Sequence, residues 1–147
     1  MRSSTRRGLR ITVMATPGGH TVDSLSFVLD DAVLTADTVL GRGTTVIDQE
    51  DGSLAAYLDS LQRLRGLGGT ARCCPDTAPD LEDLEAVSDM YLQHREERLE
   101  QVRAALQELG DDATTRQVVE HVYTDVDEKL WDVAEWSVQA QLDYLRN

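Results

Sequence analysis

The sequence predicts an α+β protein in which a short antiparallel β region leads into an all-helical tail. Three observations carry that reading. Residues 9–47 hold short runs of alternating apolar and polar residues, broken by glycine, proline and aspartate. Residues 53–147 instead repeat their apolar residues at spacings of three and four. The chain's 147 residues, 41% hydrophobic and 28% charged, suffice to bury a core.

The β elements come first. Leu9-Arg10-Ile11-Thr12-Val13-Met14 alternates as a half-buried strand does, and Thr16-Pro17-Gly18-Gly19-His20 breaks it with turn residues. Ser24-Leu25-Ser26-Phe27-Val28-Leu29 alternates again, Asp30-Asp31 supplies a hairpin turn, and Ala32-Val33-Leu34-Thr35 returns. Asp37 falls just past the end of that strand, and Gly41-Arg42-Gly43 opens a loop. This allows three strands at most, each with a face that needs cover.

The helices follow. Leu54, Tyr57, Leu58, Leu61 and Leu64 form one stripe behind Ser53, an N-cap residue, and Gly66, Gly68 and Gly69 end it. Residues 70–79 have no periodicity. A long amphipathic stretch then runs from Asp80 to a C-cap at Gly110, with Leu81, Leu84, Val87, Leu99, Val102, Leu106 and Leu109 on its apolar side. Thr114 followed by Gln117 is a capping-box pattern for a short helix through Tyr123. A last helix is expected over about 127–145, with Leu130, Trp131, Ala134, Val138 and Leu142 inward. Trp131 and Trp136 read as core or interface, and His94 and His121 as surface or cap residues.

Charge and cysteines narrow the classes. There are 27 acidic and 14 basic residues, a net charge of −13. Such a surface opposes phosphate-tracking nucleic-acid binding. Arg2, Arg6, Arg7 and Arg10 precede the first acidic residue, Asp23, but the apolar stretch after them is too short for an export signal. Adjacent Cys73 and Cys74 make no extracellular disulfide framework. The expected location is the cytoplasm, and the lack of any apolar run near the roughly 18 residues of a membrane span argues against a membrane protein. No Gly-rich phosphate-binding motif is present. All but one of the basic residues are arginine, the exception being Lys129, a bias typical of GC-rich coding DNA.

Two polar groups stand at strand ends, His20 and Asp37. Loops at strand ends commonly carry metal ligands and catalytic groups, and imidazole with carboxylate suits zinc. Spacing alone leaves two readings open: a ligand pair, or a turn histidine and a loop-capping aspartate.

The stretch Ala15-Thr16-Pro17-Gly18-Gly19-His20-Thr21-Val22-Asp23-Ser24 resembles the TPGHTxDS motif of metallo-β-lactamase-fold hydrolases, and Leu34-Thr35-Ala36-Asp37-Thr38-Val39 resembles their LxGDTV motif. Residues 40–47, the helix with Tyr57-Leu58-Asp59-Ser60-Leu61, and the tail from Tyr91-Leu92-Gln93-His94-Arg95 to Gln141-Leu142-Asp143-Tyr144-Leu145 resemble the lactamase-β-like-2 subgroup in particular. The resemblance implies the C-terminal half of an αββα sandwich over 1–79, followed by a helical, winged-helix-like domain over 80–147. It implies a zinc-dependent hydrolase with two metals per site in the intact family, which lower the pKa of a water so that hydroxide exists near neutral pH. His20 takes the place of a metal ligand and Asp37 that of the bridging aspartate, while Thr21, Asp23 and Ser24 shape the loop around the histidine.

The sequence also departs from the family. The principal ligand motif, HxHxDH, is absent, and two glycines rather than one precede His20, which should swing its ring from the usual position. The last family histidine, in LPGHGP, belongs near 70–79, where no histidine stands. Codons for Cys73-Cys74-Pro75-Asp76-Thr77-Ala78-Pro79, read one nucleotide out of phase with C or G at the free third positions, spell Leu-Pro-Gly-His-Gly-Pro, so a local frame disturbance is expected in the gene. Two ligands remain, where a catalytic zinc generally takes three from protein.

The expectation is therefore a truncated, catalytically impaired copy of a metal-dependent hydrolase, whose intact relatives act on small ester, thioester or amide substrates or on RNA. One alternative is a non-enzymatic module that pairs through an exposed sheet edge, as a homodimer or with a complementing N-terminal half. Another is a nuclease-related nucleic-acid-binding protein, which the net charge of −6 over residues 111–147 opposes.

Overall fold

A computed structural model describes residues 2–6, 8–48, 50–68, 71–76, 79–124 and 126–146. Strands β1 (Arg2–Arg6), β2 (Leu9–Ala15), β3 (Leu25–Val28) and β4 (Ala32–Leu34) form an antiparallel meander. Helix α1 (Leu54–Arg65) then crosses to β5 (Arg72–Cys74), which lies parallel to β4. Helices α2 (Leu84–Leu109), α3 (Thr115–Val122) and α4 (Trp131–Arg146) complete the chain. The sheet order is β1-β2-β3-β4-β5.

Strand pleating sends alternate residues to opposite faces. Met14, Val28, Val33 and Cys73 point to α1 and the start of α2, where Tyr57, Leu61, Leu64, Leu84 and Tyr91 meet them in one core. The register aligns Val13, Phe27 and Leu34 on the other face. There Leu25, Phe27 and Leu34 are each more than 40% exposed, so this apolar face has no layer over it in the described residues. A second core gathers Val102, Ala105, Val118, Val119, Val138 and Leu142 between the far half of α2, α3 and α4. The 26-residue α2 spans both cores.

The expected strands at 9–14, 24–29 and 32–35 are present in slightly different bounds, but the described residues form five strands where three at most were expected. β1 is Arg-Ser-Ser-Thr-Arg and has no apolar alternation; it pairs with β2 as the edge strand of the sheet. β5 is three residues long in the stretch that showed no periodicity, and its pairing is set by a crossover that no local pattern records. Helix α2 begins at Leu84 rather than Asp80: Asp83 caps it by accepting from Ala86 N–H at 2.9 Å, while Leu81 pairs with Cys73 as an isolated bridge. Leu109 and Leu130, expected inward, are 42% and 56% exposed: Leu109 is the last residue of α2, and Leu130 lies in the 3-10 turn that leads into α4 and faces an open cavity. The Thr114–Gln117 capping box forms as expected. Among the described residues no helix is long and apolar enough to cross a membrane.

Candidate metal-binding pocket

Two turns at one end of the sheet build the site. The first, after β2, runs tightly over the start of α1. A Cβ at Gly18 would lie 2.4 Å from Tyr57 N and 2.5 Å from the Ser53 carbonyl, and its φ of +100° is a left-handed value. Gly19 also lies close, its would-be Cβ 3.1 Å from the Thr45 methyl and 3.2 Å from the Tyr57 ring. Ser53 and Asp48 N–H groups donate to the Gly18 and Gly19 carbonyls at 2.9 and 3.1 Å, so the doubled glycine is what lets this turn dock on α1. His20 follows it and is exposed. Thr21 and Ser24 hydroxyls bond at 2.9 Å and close the loop beyond, with Asp23 exposed at its tip.

The second turn is a single 3-10 turn, Ala36–Thr38, after β4. Ala36 has φ +46°, the lone described non-glycine residue in the left-handed region. Asp37 is exposed at the middle of this turn. Buried hydroxyls join the two turns: Thr38 Oγ1 donates to Thr16 Oγ1 at 3.1 Å, and Thr16 bonds Ser26 at 3.0 Å. Tyr57 donates its phenol to the Thr38 carbonyl at 2.8 Å, and Thr45 donates to the Asp37 carbonyl at 2.6 Å. Burial raises the Tyr57 phenol above its ordinary pKa, which keeps it protonated as a donor. Behind them, buried Arg95 donates to the Thr45 carbonyl and stacks 5.1 Å over the Tyr57 ring.

His20 and Asp37 consequently line one open pocket of about 310 Å³, with Leu40, Thr45 and Val46. Asp48, also near, is committed elsewhere: N–H groups of Asp51 and Glu50 hold its carboxyl below the usual range, with a smaller pull from His20. The remaining candidates lie apart. Cys73 is buried, with its sulfur 3.6 Å from Thr35 Oγ1, and burial raises its thiol pKa; the Cys74 thiol is raised too, by desolvation and then by Asp80. Neither is an activated nucleophile. His121 is an exposed partner of Glu108, at 3.4 Å. Trp131 is half-buried and donates to the Val126 carbonyl, whereas Trp136 is 41% exposed. The supports Thr16, Thr38, Thr45 and Arg95 escaped sequence reasoning, because their partners are distant in the chain.

Comparison with known proteins decides the family. Residues 114–147 match the β-lactamase associated winged helix domain. A β-lactamase domain protein from Burkholderia ambifaria superposes on 99% of this chain and 44% of its own, with a TM-score of 0.85 at 21% identity. The chain matches a C-terminal portion of the metallo-β-lactamase superfamily. Among curated members, the lactamase-like protein adaB of Aspergillus niger is 38% identical over 102 residues, which are 68% of this chain and 30% of the relative. The β-lactamase-like protein 2 homolog of Drosophila melanogaster is 28% identical over 143 residues, 96% of this chain and 47% of the relative. The chain thus spans 30% to 47% of the length of these two curated relatives.

The donor set bears on the metal. An imidazole and a carboxylate line one pocket, and both are side-chain types that ligate metal ions. Among the described residues no group of three or more His, Cys, Asp or Glu is placed to hold an ion. The stretch in which a family histidine was expected falls partly on residues 77 and 78, outside the described residues.

Proposed function

We propose that this chain supplies part of the metal pocket of a metal-dependent hydrolase, with His20 and Asp37 as ligands to zinc and Thr21, Asp23 and Ser24 holding the ligand loop. The supporting observation is that the two motif turns, separate in sequence, place both side chains on one pocket. Bound zinc would supply a water acidic enough to act near neutral pH. The substrate class is an ester, thioester, amide or phosphodiester. Two ligands do not make a catalytic site, so the chain alone holds zinc weakly and has little or no hydrolase activity. Parallel β5 finishes at the same end of the sheet as β4, which Asp37 follows. Codons with A or T at the free third positions of 73–79 would eliminate the shifted-frame reading.

Zinc titration of the purified chain tests the proposal. Weak binding that drops further in His20→Ala and in Asp37→Asn supports it. Tight binding of two zinc ions, or binding indifferent to both substitutions, overturns it.

A second reading rests on the uncovered apolar face carrying Leu25, Phe27 and Leu34. It would be covered by a complementing N-terminal half or a second copy of the chain, and Phe27→Lys should leave a monomer in light scattering where the parent associates. Nucleic-acid binding by the tail is disfavoured by its net charge of −6 over residues 111–147. The free cysteines fit a cytoplasmic location.

A further inference from the structure

A second cavity, also of about 310 Å³, opens between α2, α4 and the loop that holds Thr45. His94, Arg95 and Arg98 reach it from one side of α2, Gln141 reaches it from α4, and Leu130 and Val133 supply apolar wall. Arg95 is 3% exposed and Gln141 is 2% exposed. The Nε of Arg95 and the Oε1 of Gln141 are both buried without a hydrogen-bond partner. Buried polar atoms are nearly always paired, so two orphans on residues that line one cavity point to a missing partner. Arg98 lies 4.8 Å over the Tyr123 ring and donates to Gln101 at 2.9 Å. Among the described residues neither Arg95 nor Arg98 has an acidic counter-ion, in a chain of net charge −13.

This cavity adjoins the first. Val46 lines both, and Thr45 joins them: its side chain holds the Asp37 carbonyl, and its own carbonyl receives Arg95. Guanidinium and imidazole donors within apolar walls suit an oxyanion carried on an apolar stem. The acceptor on Gln141 suits a protonated oxygen or hydroxyl beside that oxyanion.

We propose that this cavity binds the anionic end, carboxylate or phosphate, of an amphipathic small-molecule substrate whose reacting bond lies at the His20–Asp37 pocket. The location of the reacting bond rests on the function proposed above; the oxyanion site does not.

Calorimetric titration of the full chain in EDTA, with hexyl phosphate, hexanoate and inorganic phosphate, tests it. Hexyl phosphate or hexanoate should bind saturably and more tightly than inorganic phosphate, and the tighter of the two names the headgroup. Arg98→Gln should weaken binding about tenfold or more. Gln141→Glu, which sets a carboxylate in the cavity, should abolish it. Both variants must keep the parent's circular dichroism; Arg95, buried against Tyr57, is left intact for that reason. His20→Ala should bind as the parent does. Absence of saturable binding, parent-like affinity in both cavity variants, or tighter binding of a single-stranded oligoribonucleotide would each overturn the proposal. Loss of binding in His20→Ala would also overturn it, by assigning the anion to the metal pocket, and would leave the proposed function standing. Zinc binding indifferent to His20, with the cavity variants behaving as expected, would reject the metal reading alone.

Discussion

The motif turns at the sheet edge and the helical tail are stabilised in opposite ways. In the tail, order is local: Asp83 and Thr114 cap their own helices, Gly110 ends α2, and the apolar stripes face one another. Arg116 links α3 to Glu135 on α4 at 2.8 Å, an exposed contact of small energetic weight. At the sheet edge, order is distant. Thr16, Thr38, Thr45 and Tyr57 come from four segments and bond one another or one another's backbone, and Arg95 of the tail supports them. A region built by local rules tolerates single changes. One built by interlocking partners transmits them to the pocket.

Two glycines with nearly the same backbone angle give the sharpest contrast and the largest expected effect. Gly18 has φ +100° and Gly110 φ +98°. Nothing lies within 4 Å of a Cβ at Gly110, whereas at Gly18 it would strike α1 backbone. Gly110→Ala should cost about 1–3 kcal/mol, from backbone strain alone. Gly18→Ala adds a backbone collision and should cost about 3–5 kcal/mol, enough to unfold much of the chain. Urea denaturation of both variants checks this, and equal losses would refute the contrast. Next in size is the pair Tyr57→Phe and Thr114→Ala. The first removes the donor to the buried Thr38 carbonyl and should cost about 1–3 kcal/mol while weakening zinc retention. The second removes an exposed cap and should cost about 1 kcal/mol with zinc retention unchanged.

The same division explains what the sequence disclosed. Periodicity and caps located α1, α3 and most of α4, since each is written within a few adjacent residues. The strand β1 was hidden because it is polar, and β5 because its order comes from β4 across a helix. His20 and Asp37 were legible through the motifs around them. The hydroxyl network beneath them was not, because a threonine destined for a buried bond looks like any strand threonine. Arg95 stands in a segment that resembles the family, but only its burial and its bond to the Thr45 carbonyl show what it supports.

A smaller effect runs the other way. Ala36 occupies the left-handed region at φ +46°, where the resembled motif has glycine. Ala36→Gly relieves about 1 kcal/mol of strain and gives part of it back through a freer unfolded chain. A net gain of about 0.5 kcal/mol is expected, and any loss of stability on urea denaturation would show that the turn is not strained.

The smallest expected effect lies where the two regions meet. Burial, then Arg95 and Arg98, hold the His94 imidazole below its ordinary pKa, against a weaker opposing pull from Glu97. As pH falls, the unfolded chain therefore takes up this proton before the folded one. Stability should be intact above the unfolded imidazole's pKa of about 6.5, decline below it, and level off once the folded-state pKa has been passed. His94→Gln should flatten that part of the profile without touching the loss from carboxylates at lower pH. An anion seated between Arg95 and Arg98 would offset the two charges that depress His94. Saturating hexyl phosphate should then move the imidazole pKa upward, as read from its ring proton by NMR, and a pKa indifferent to the ligand would separate the cavity from the residues that line it.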